Sequence, residues 1–159
     1  MGKRPGVRRR GRGGMQFRAA ATYKLKPAKY PSFSLDEERR GDIIDLVHES
    51  GRDVPLAKVR FEDGSVSFIP APLGTKVGQR MNFGLNSEII DGNVISIQNI
   101  PDGTIVCNVE QQFGDGGALM KSAGADATVF AHKDDGVILK LASGKFKKLN
   151  PKNRAMIGT

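Results

Sequence analysis

Five arginines, Arg8, Arg9, Arg10, Arg12 and Arg18, fall within eleven consecutive positions near the start of the chain. A guanidinium is always charged and presents a planar fork of donors, the shape that meets a phosphate two bonds at a time. Lys3, Arg4, Lys24, Lys26 and Lys29 extend the run, so residues 1–30 carry ten cations and no Asp or Glu. All of the net charge of +8 belongs to this stretch, because the remaining residues sum to −2. The chemistry on offer is neutralisation of a polyanion, with RNA or DNA backbone as the expected partner. A solubilising or import tail is the blander reading. A membrane-surface anchor is weaker still, since no amphipathic helical period is present.

A second cationic cluster lies near the other end. Lys140, Lys145, Lys147, Lys148, Lys152 and Arg154 occur between 140 and 159 with no acid among them, whereas residues 31–139 sum to −8. A basic arm, an acidic middle and a basic end point to two phosphate-facing surfaces. Lys121 follows Gly114-Asp115-Gly116-Gly117, which could be taken for a phosphate cradle. The P-loop spacing fails and no helix is predicted after it. A flexible loop between strands and a loop pressed on nucleic-acid backbone both remain open, with Asp115 counting against the second.

Catalytic chemistry finds little support. His48 has Glu49 beside it and His132 is followed by Lys133 and Asp134, a setting usual for surface histidines. Cys107 falls in an apolar run, where a small inert thiol is the norm. One cysteine and two histidines make neither an internal disulfide nor a zinc set. No enzyme activity, catalytic residue, metal, cofactor or small-molecule substrate is expected. No apolar run is long enough to span a membrane, and the Arg-rich start has no apolar segment after it, so a cytoplasmic setting is expected.

The elements that must position these cations read as β. The arm is rich in Gly and Pro and cannot bury enough surface to offset its ordering entropy, so alone it should be disordered or extended. Phe17, Tyr23 and Tyr30 are placed to stack on bases or to anchor the arm to its own domain. Ser34-Leu35-Asp36-Glu37 has the form of a helix-capping box, yet the β-branched content of Asp42–Val47 favours a strand. Ala57, Val59 and Phe61 alternate with Lys58, Arg60 and Glu62, Asp63-Gly64 turns the chain, and Val66 and Phe68 resume the alternation: a β-hairpin. Short strands follow over Pro70–Gly74, Val77–Phe83, Val94–Gln98, Thr104–Glu110, Thr128–Lys133, Val137–Leu141 and Lys145–Leu149, with turns every 8–12 residues. The pattern predicts an all-β protein made of small barrels. Ile100-Pro101-Asp102-Gly103 divides it into an arm (1–34), an OB-like barrel (35–100) and an SH3-like barrel (101–159). Each barrel is small enough to depend on the other or on a partner.

Several motifs then occur in order: Val54-Pro-Leu-Ala-Lys-Val-Arg-Phe61-Glu-Asp-Gly64, Ile100-Pro-Asp-Gly-Thr-Ile-Val-Cys-Asn-Val-Glu110, Gly114-Asp-Gly-Gly117, Ser122-Ala-Gly124, Leu141-Ala-Ser-Gly144 and Asn153-Arg-Ala-Met-Ile-Gly158. Together they resemble the universal large-subunit ribosomal protein family L-two in its archaeal and eukaryotic-type form, over nearly the whole chain from Arg40. The resemblance implies an OB-like barrel followed by an SH3-like one on large-subunit ribosomal RNA, next to neighbouring ribosomal proteins. It also implies roles in subunit association and in support of the RNA peptidyl-transferase region. Its RNA-facing parts correspond to Gly114–Gly124 and the Ser143–Lys148 hairpin. Met120-Lys121 and Ala125-Asp126 depart from the family's pattern, keeping a cation but losing an aromatic. The family's chain runs on beyond the position of Thr159, so the second barrel is expected to be incomplete. The expected RNA contacts are Lys3, Arg4, Arg8, Arg9, Arg10, Arg12, Arg18, Lys24, Lys121, Lys145, Lys147, Lys148 and Arg154. The alternative is a free single-stranded nucleic-acid-binding or translation-factor-like β-barrel module.

Overall fold

The computed structural model describes residue 2 and residues 5–18, 24–32, 38–84, 87–133 and 135–159. The capping-box stretch Ser34–Glu37, Lys3, Arg4 and Tyr23 lie outside the described residues. One helical turn, α1 (Gly6–Arg10), and a 3-10 turn at Met15–Phe17 precede ten strands. The strands are β1 (Arg39–Val47), β2 (Leu56–Phe61), β3 (Val66–Pro70), β4 (Arg80–Phe83), β5 (Val94–Ser96), β6 (Ile105–Cys107), β7 (Ala127–Lys133), β8 (Gly136–Leu141), β9 (Phe146–Leu149) and β10 (Arg154–Ile157). The fold is all-β, one open mixed sheet in the order β3-β2-β1-β4-β5-β10-β6-β7-β8-β9.

The hairpin expected from alternation is β2–β3, with Lys58 opposite Phe68 and Arg60 opposite Val66. Asp63 accepts from the Ser65 amide at 2.8 Å, and Gly64 takes the positive φ of +80° that the turn requires. β1 pairs with both β2 and β4. A bulge between Ile43 and Asp45 leaves Ile44 without a partner in the β1–β2 register and bends the strand. At Gly41 an added Cβ would come within 2.5 Å of Val59 Cγ1, so the missing side chain lets β2 close over β1.

Two segments differ from expectation. Residues 71–79 are turns rather than strand: Pro72 accepts from the Thr75 amide, and the Gly78 amide donates to Ile43. Asn153-Arg-Ala-Met-Ile-Gly158, a family motif at the basic end for which the pattern predicts no strand, contains strand β10. β10 lies between β5 and β6, antiparallel to both. Apart from exposed Ile105, these three strands are covered on both faces, and their buried apolar residues alternate between two cores. Val94, Met156 and Cys107 join Ile43, Val59, Phe61, Ile69, Met81 and Phe83 on one side. Ile95, Ala155, Ile157 and Val106 join Val109, Val129, Val137, Leu139 and Leu149 on the other. The last strand therefore feeds both hydrophobic cores.

Candidate nucleic-acid interface

The basic arm has a fixed root. Residues 24–32 run along the outer edge of β3, where Ala28 forms a parallel bridge with Phe68 and the Lys29 amide donates to the Phe68 carbonyl at 3.1 Å. The Tyr30 amide donates to Gly116 at 3.0 Å and the Leu25 amide to Glu49 Oε1 at 3.0 Å. Tyr30 is buried, and its hydroxyl donates to the Asn108 carbonyl at 2.5 Å. Burial pushes this phenol well above its ordinary pKa, so it stays neutral. Of the two roles open to Tyr30, the structure shows the anchor.

The glycine loop holds that root. Gly116 and Gly117 are buried, with φ of +81° and +94°. A Cβ on Gly116 would reach 2.7 Å from Lys29 Cβ, and one on Gly117 would overlap Asn108 Oδ1. Asp115, which would have opposed a phosphate, instead accepts from the amides of Gln111, Gln112 and Gly117 at 2.8–3.1 Å. Gly116 faces the chain's own arm and Gly117 faces Asn108. The loop is the internal clamp on the arm's base.

Lys121 belongs to the same clamp. Its Nζ donates to the carbonyls of Ala28 at 2.7 Å and Gly117 at 2.9 Å. Partial burial, then the nearby charges of Arg52 and Lys29, hold its ammonium below the ordinary lysine value. Glu49 closes the other side through Arg52 and the Leu25 amide. Burial works to raise its carboxyl, but the hydrogen bonds from Arg52 and Leu25 outweigh that and hold it below the usual value.

Arg154 requires a correction. It is 3% exposed and directed inward, because both faces of β10 are covered. Its Nη2 donates to Glu110 Oε1 at 2.6 Å and its backbone amide to Oε2 at 3.0 Å. Nη1 donates to the Pro31 carbonyl at 3.1 Å, and the guanidinium carbon lies 5.5 Å from the ring centres of both Tyr30 and Phe113. Such a guanidinium is an interior tie rather than a surface contact. Glu110 also accepts from the Gly116 amide at 3.1 Å, and Asn153 Nδ2 donates to the Glu110 carbonyl at 3.1 Å. Sequence reading missed Glu110, an isolated acid after an apolar run. Its one signal was its position in the family motif.

Two groups of the cations expected to meet RNA face outward. On the arm, Arg10, Arg12, Arg18 and Lys24 are exposed, and Arg18 Nε donates to the Gly13 carbonyl at 2.9 Å. Val7 and Met15 are 80% and 89% exposed. The side chains of Arg8 and Arg9 lie outside the described residues. On the β8–β9 hairpin, Lys145 and Lys148 are exposed and Lys147 is half-buried. Lys148 pairs with Asp135, whose carboxyl is held below its usual value by that contact. Register places Lys140 opposite Phe146 and Ile138 opposite Lys148 on the outer face. There Phe146 and Phe130 meet edge to face, 4.8 Å between ring centres, both more than half exposed. This aromatic pair went unread, although Phe130 is out of phase with the inward Val129.

His132 and Cys107 are both held by the fold. His132 Nδ1 is 2.7 Å from Asp102 and Nε2 is 3.3 Å from the Ile97 carbonyl, so both ring nitrogens are engaged. Burial, then the charges of Asp126 and Asp91, push the Cys107 thiol up to about 12. Among the described residues no cluster of three or more His, Cys, Asp or Glu is arranged to hold a metal, and no helix is long and apolar enough to cross a membrane.

Residues 90–159 match the family described as Ribosomal Proteins L2, C-terminal domain, a span that includes β5 together with β6–β10. Large ribosomal subunit protein uL2 of Cenarchaeum symbiosum (strain A) is 72% identical over 159 residues, all of this chain and 65% of the relative. Its counterpart in Nitrosopumilus maritimus (strain SCM1) is 71% identical over 160 residues, all of this chain and 66% of the relative. In Korarchaeum cryptofilum (strain OPF8) the identity is 44% over 158 residues, 99% of this chain and 64% of the relative. The chain thus spans just under two thirds of the length of these relatives. With such identity over its whole length, the chain belongs to the L2 family of ribosomal proteins.

Proposed function

We propose that the chain is a structural constituent of the large ribosomal subunit and binds large-subunit rRNA through charge neutralisation and shape. The observation that carries this reading is the arm: a rooted strap leads into a stretch whose described cations are exposed and which contains no acid. Lys3, Arg4, Arg8, Arg9, Arg10, Arg12, Arg18 and Lys24 meet phosphates along the arm, and Lys145, Lys147 and Lys148 meet them on the hairpin. Phe130 and Phe146 add a surface on which an unpaired base stacks. Lys121 acts indirectly by holding the strap. In this reading residues 1–34 are the RNA-binding arm, 35–100 the OB-like unit and 101–159 the SH3-like unit, with β10 shared between their cores. The protein is non-enzymatic and resides on cytoplasmic ribosomes. Through its RNA and neighbouring ribosomal proteins it supports subunit association and the peptidyl-transferase region.

Sucrose-gradient sedimentation of a cell extract tests the reading. The chain should co-migrate with large subunits and remain there through a moderate salt wash. A free pool that binds oligonucleotides and never sediments with subunits supports the single-stranded-binding module instead.

A further inference from the structure

The acidic middle of the chain holds an arginine-lined concavity that neither basic segment includes. Asp42 on β1 lies opposite Arg60 on β2 and opposite Arg80 on β4, so the three form one row across three strands. Directly opposed residues share a face, and Arg40, two positions from Asp42, shares it too. The inner face of the same strands carries Ile43, Val59, Phe61, Met81 and Phe83 in the core, which fixes the row outward. Together with Glu62 and Gly64 at its edge, the row encloses about 320 Å³.

All three cations are arginines, able to fork onto a phosphate as lysine cannot. Arg80 Nε donates to Asp42 Oδ1 at 3.1 Å, a bond that does not use its two terminal nitrogens. Among the described residues neither Arg40 nor Arg60 has an ion-pair partner, and both are exposed. The carboxylates facing this space are Asp42 and Glu62. Asp42 sits between Arg60 and Arg80 and relieves their repulsion, and the row keeps an excess of positive charge. Strands two places apart in a sheet are about 10 Å from each other, so Arg60 and Arg80 flank a gap of the width a sugar–phosphate backbone crosses. The concavity is open to solvent, lined by exposed arginines. That favours a polyanion, whose binding is driven by counterion release, over a small free anion.

We propose that the outer face of β1, β2 and β4, lined by Arg40, Arg60 and Arg80, is a further phosphate-binding site that receives the backbone of the RNA held by the arm. The site rests on the RNA-binding reading above and adds to it a surface in the acidic middle of the chain.

Filter binding of the full chain to protein-free large-subunit rRNA, from 50 to 300 mM salt (roughly the range over which phosphate contacts weaken), tests this. In R40Q/R60Q the log–log salt slope should become shallower by about 1.5–2, with affinity near physiological salt down about tenfold. R40K/R60K should keep the wild-type slope while losing part of the affinity. Thermal unfolding of both variants should match wild type, since the side chains are exposed. R10Q/R12Q on the arm serves as the comparison. If that variant flattens the slope and R40Q/R60Q does not, the inference is overturned while RNA binding stands. If wild type shows no salt-dependent binding, both fall. Inorganic phosphate should compete no better than chloride at equal ionic strength; stronger competition would assign the site to a free anion and overturn the proposal.

Discussion

Arg154 Nη2 lies 2.6 Å from Glu110 Oε1, and this one buried pair ties the last strand to the root of the arm. Arg154 stands on β10, Glu110 follows β6, and the same guanidinium holds the Pro31 carbonyl beside Tyr30. A residue that reads as one more surface cation is thus the point at which both cores and the arm are fastened together.

Glu110→Gln should be strongly destabilising, by about 3–5 kcal/mol, because it leaves a guanidinium buried without its counter-charge. Urea unfolding measures this. The double variant E110L/R154M should recover much of the loss, since a buried ion pair replaced whole by apolar groups is often close to neutral. If E110Q unfolds like wild type, the pair does not fasten the structure.

At Gly117 an added methyl meets both positive φ and the Asn108 side chain, so Gly117→Ala should cost several times what Gly103→Ala costs. Gly103 has φ of +87° but open space around it, and its substitution should cost about 1 kcal/mol. Limited proteolysis should cut near Lys24–Lys29 faster in the Gly117 variant, reporting release of the strap. Equal costs at the two glycines would contradict the clamp.

Glu49 gives the arm's root a pH dependence. Its folded pKa is lowered below the unfolded value of 4.5, so the unfolded chain takes up the proton first as pH falls. The stability it contributes is fully present above that value and is lost as pH drops through the folded one. Denaturation midpoints of wild type should therefore fall more steeply on the acid side than those of Glu49→Gln. Parallel curves would contradict this assignment.

The β2–β3 hairpin, the β7–β8 and β8–β9 turns and the inert Cys107 were legible in the sequence, because alternation and Asp-Gly or Ser-Gly punctuation are local signals. β10 was not, since its Arg154-Ala-Met-Ile157 run is buried on both faces and shows no alternation. The partition of charge was visible, but whether a given cation faces water depends on a distant partner. Arg154 needed Glu110, and Lys121 needed the Ala28 carbonyl, 93 residues away. The arginine row of Arg60 and Arg80 around Asp42 was hidden for the same reason: register across three strands, not spacing along one, brings it together.

The most direct test of the account is the salt dependence of binding to protein-free large-subunit rRNA by the full chain and by a variant lacking residues 1–23, which keeps the buried root of the arm. With roughly ten phosphate contacts, the full chain should give a log–log slope of about −7 to −9. The shortened chain should still bind, more weakly and with a visibly shallower slope, through the contacts that remain on the body. A full-chain slope shallower than about −3, or one unchanged by removing the arm, would contradict the account.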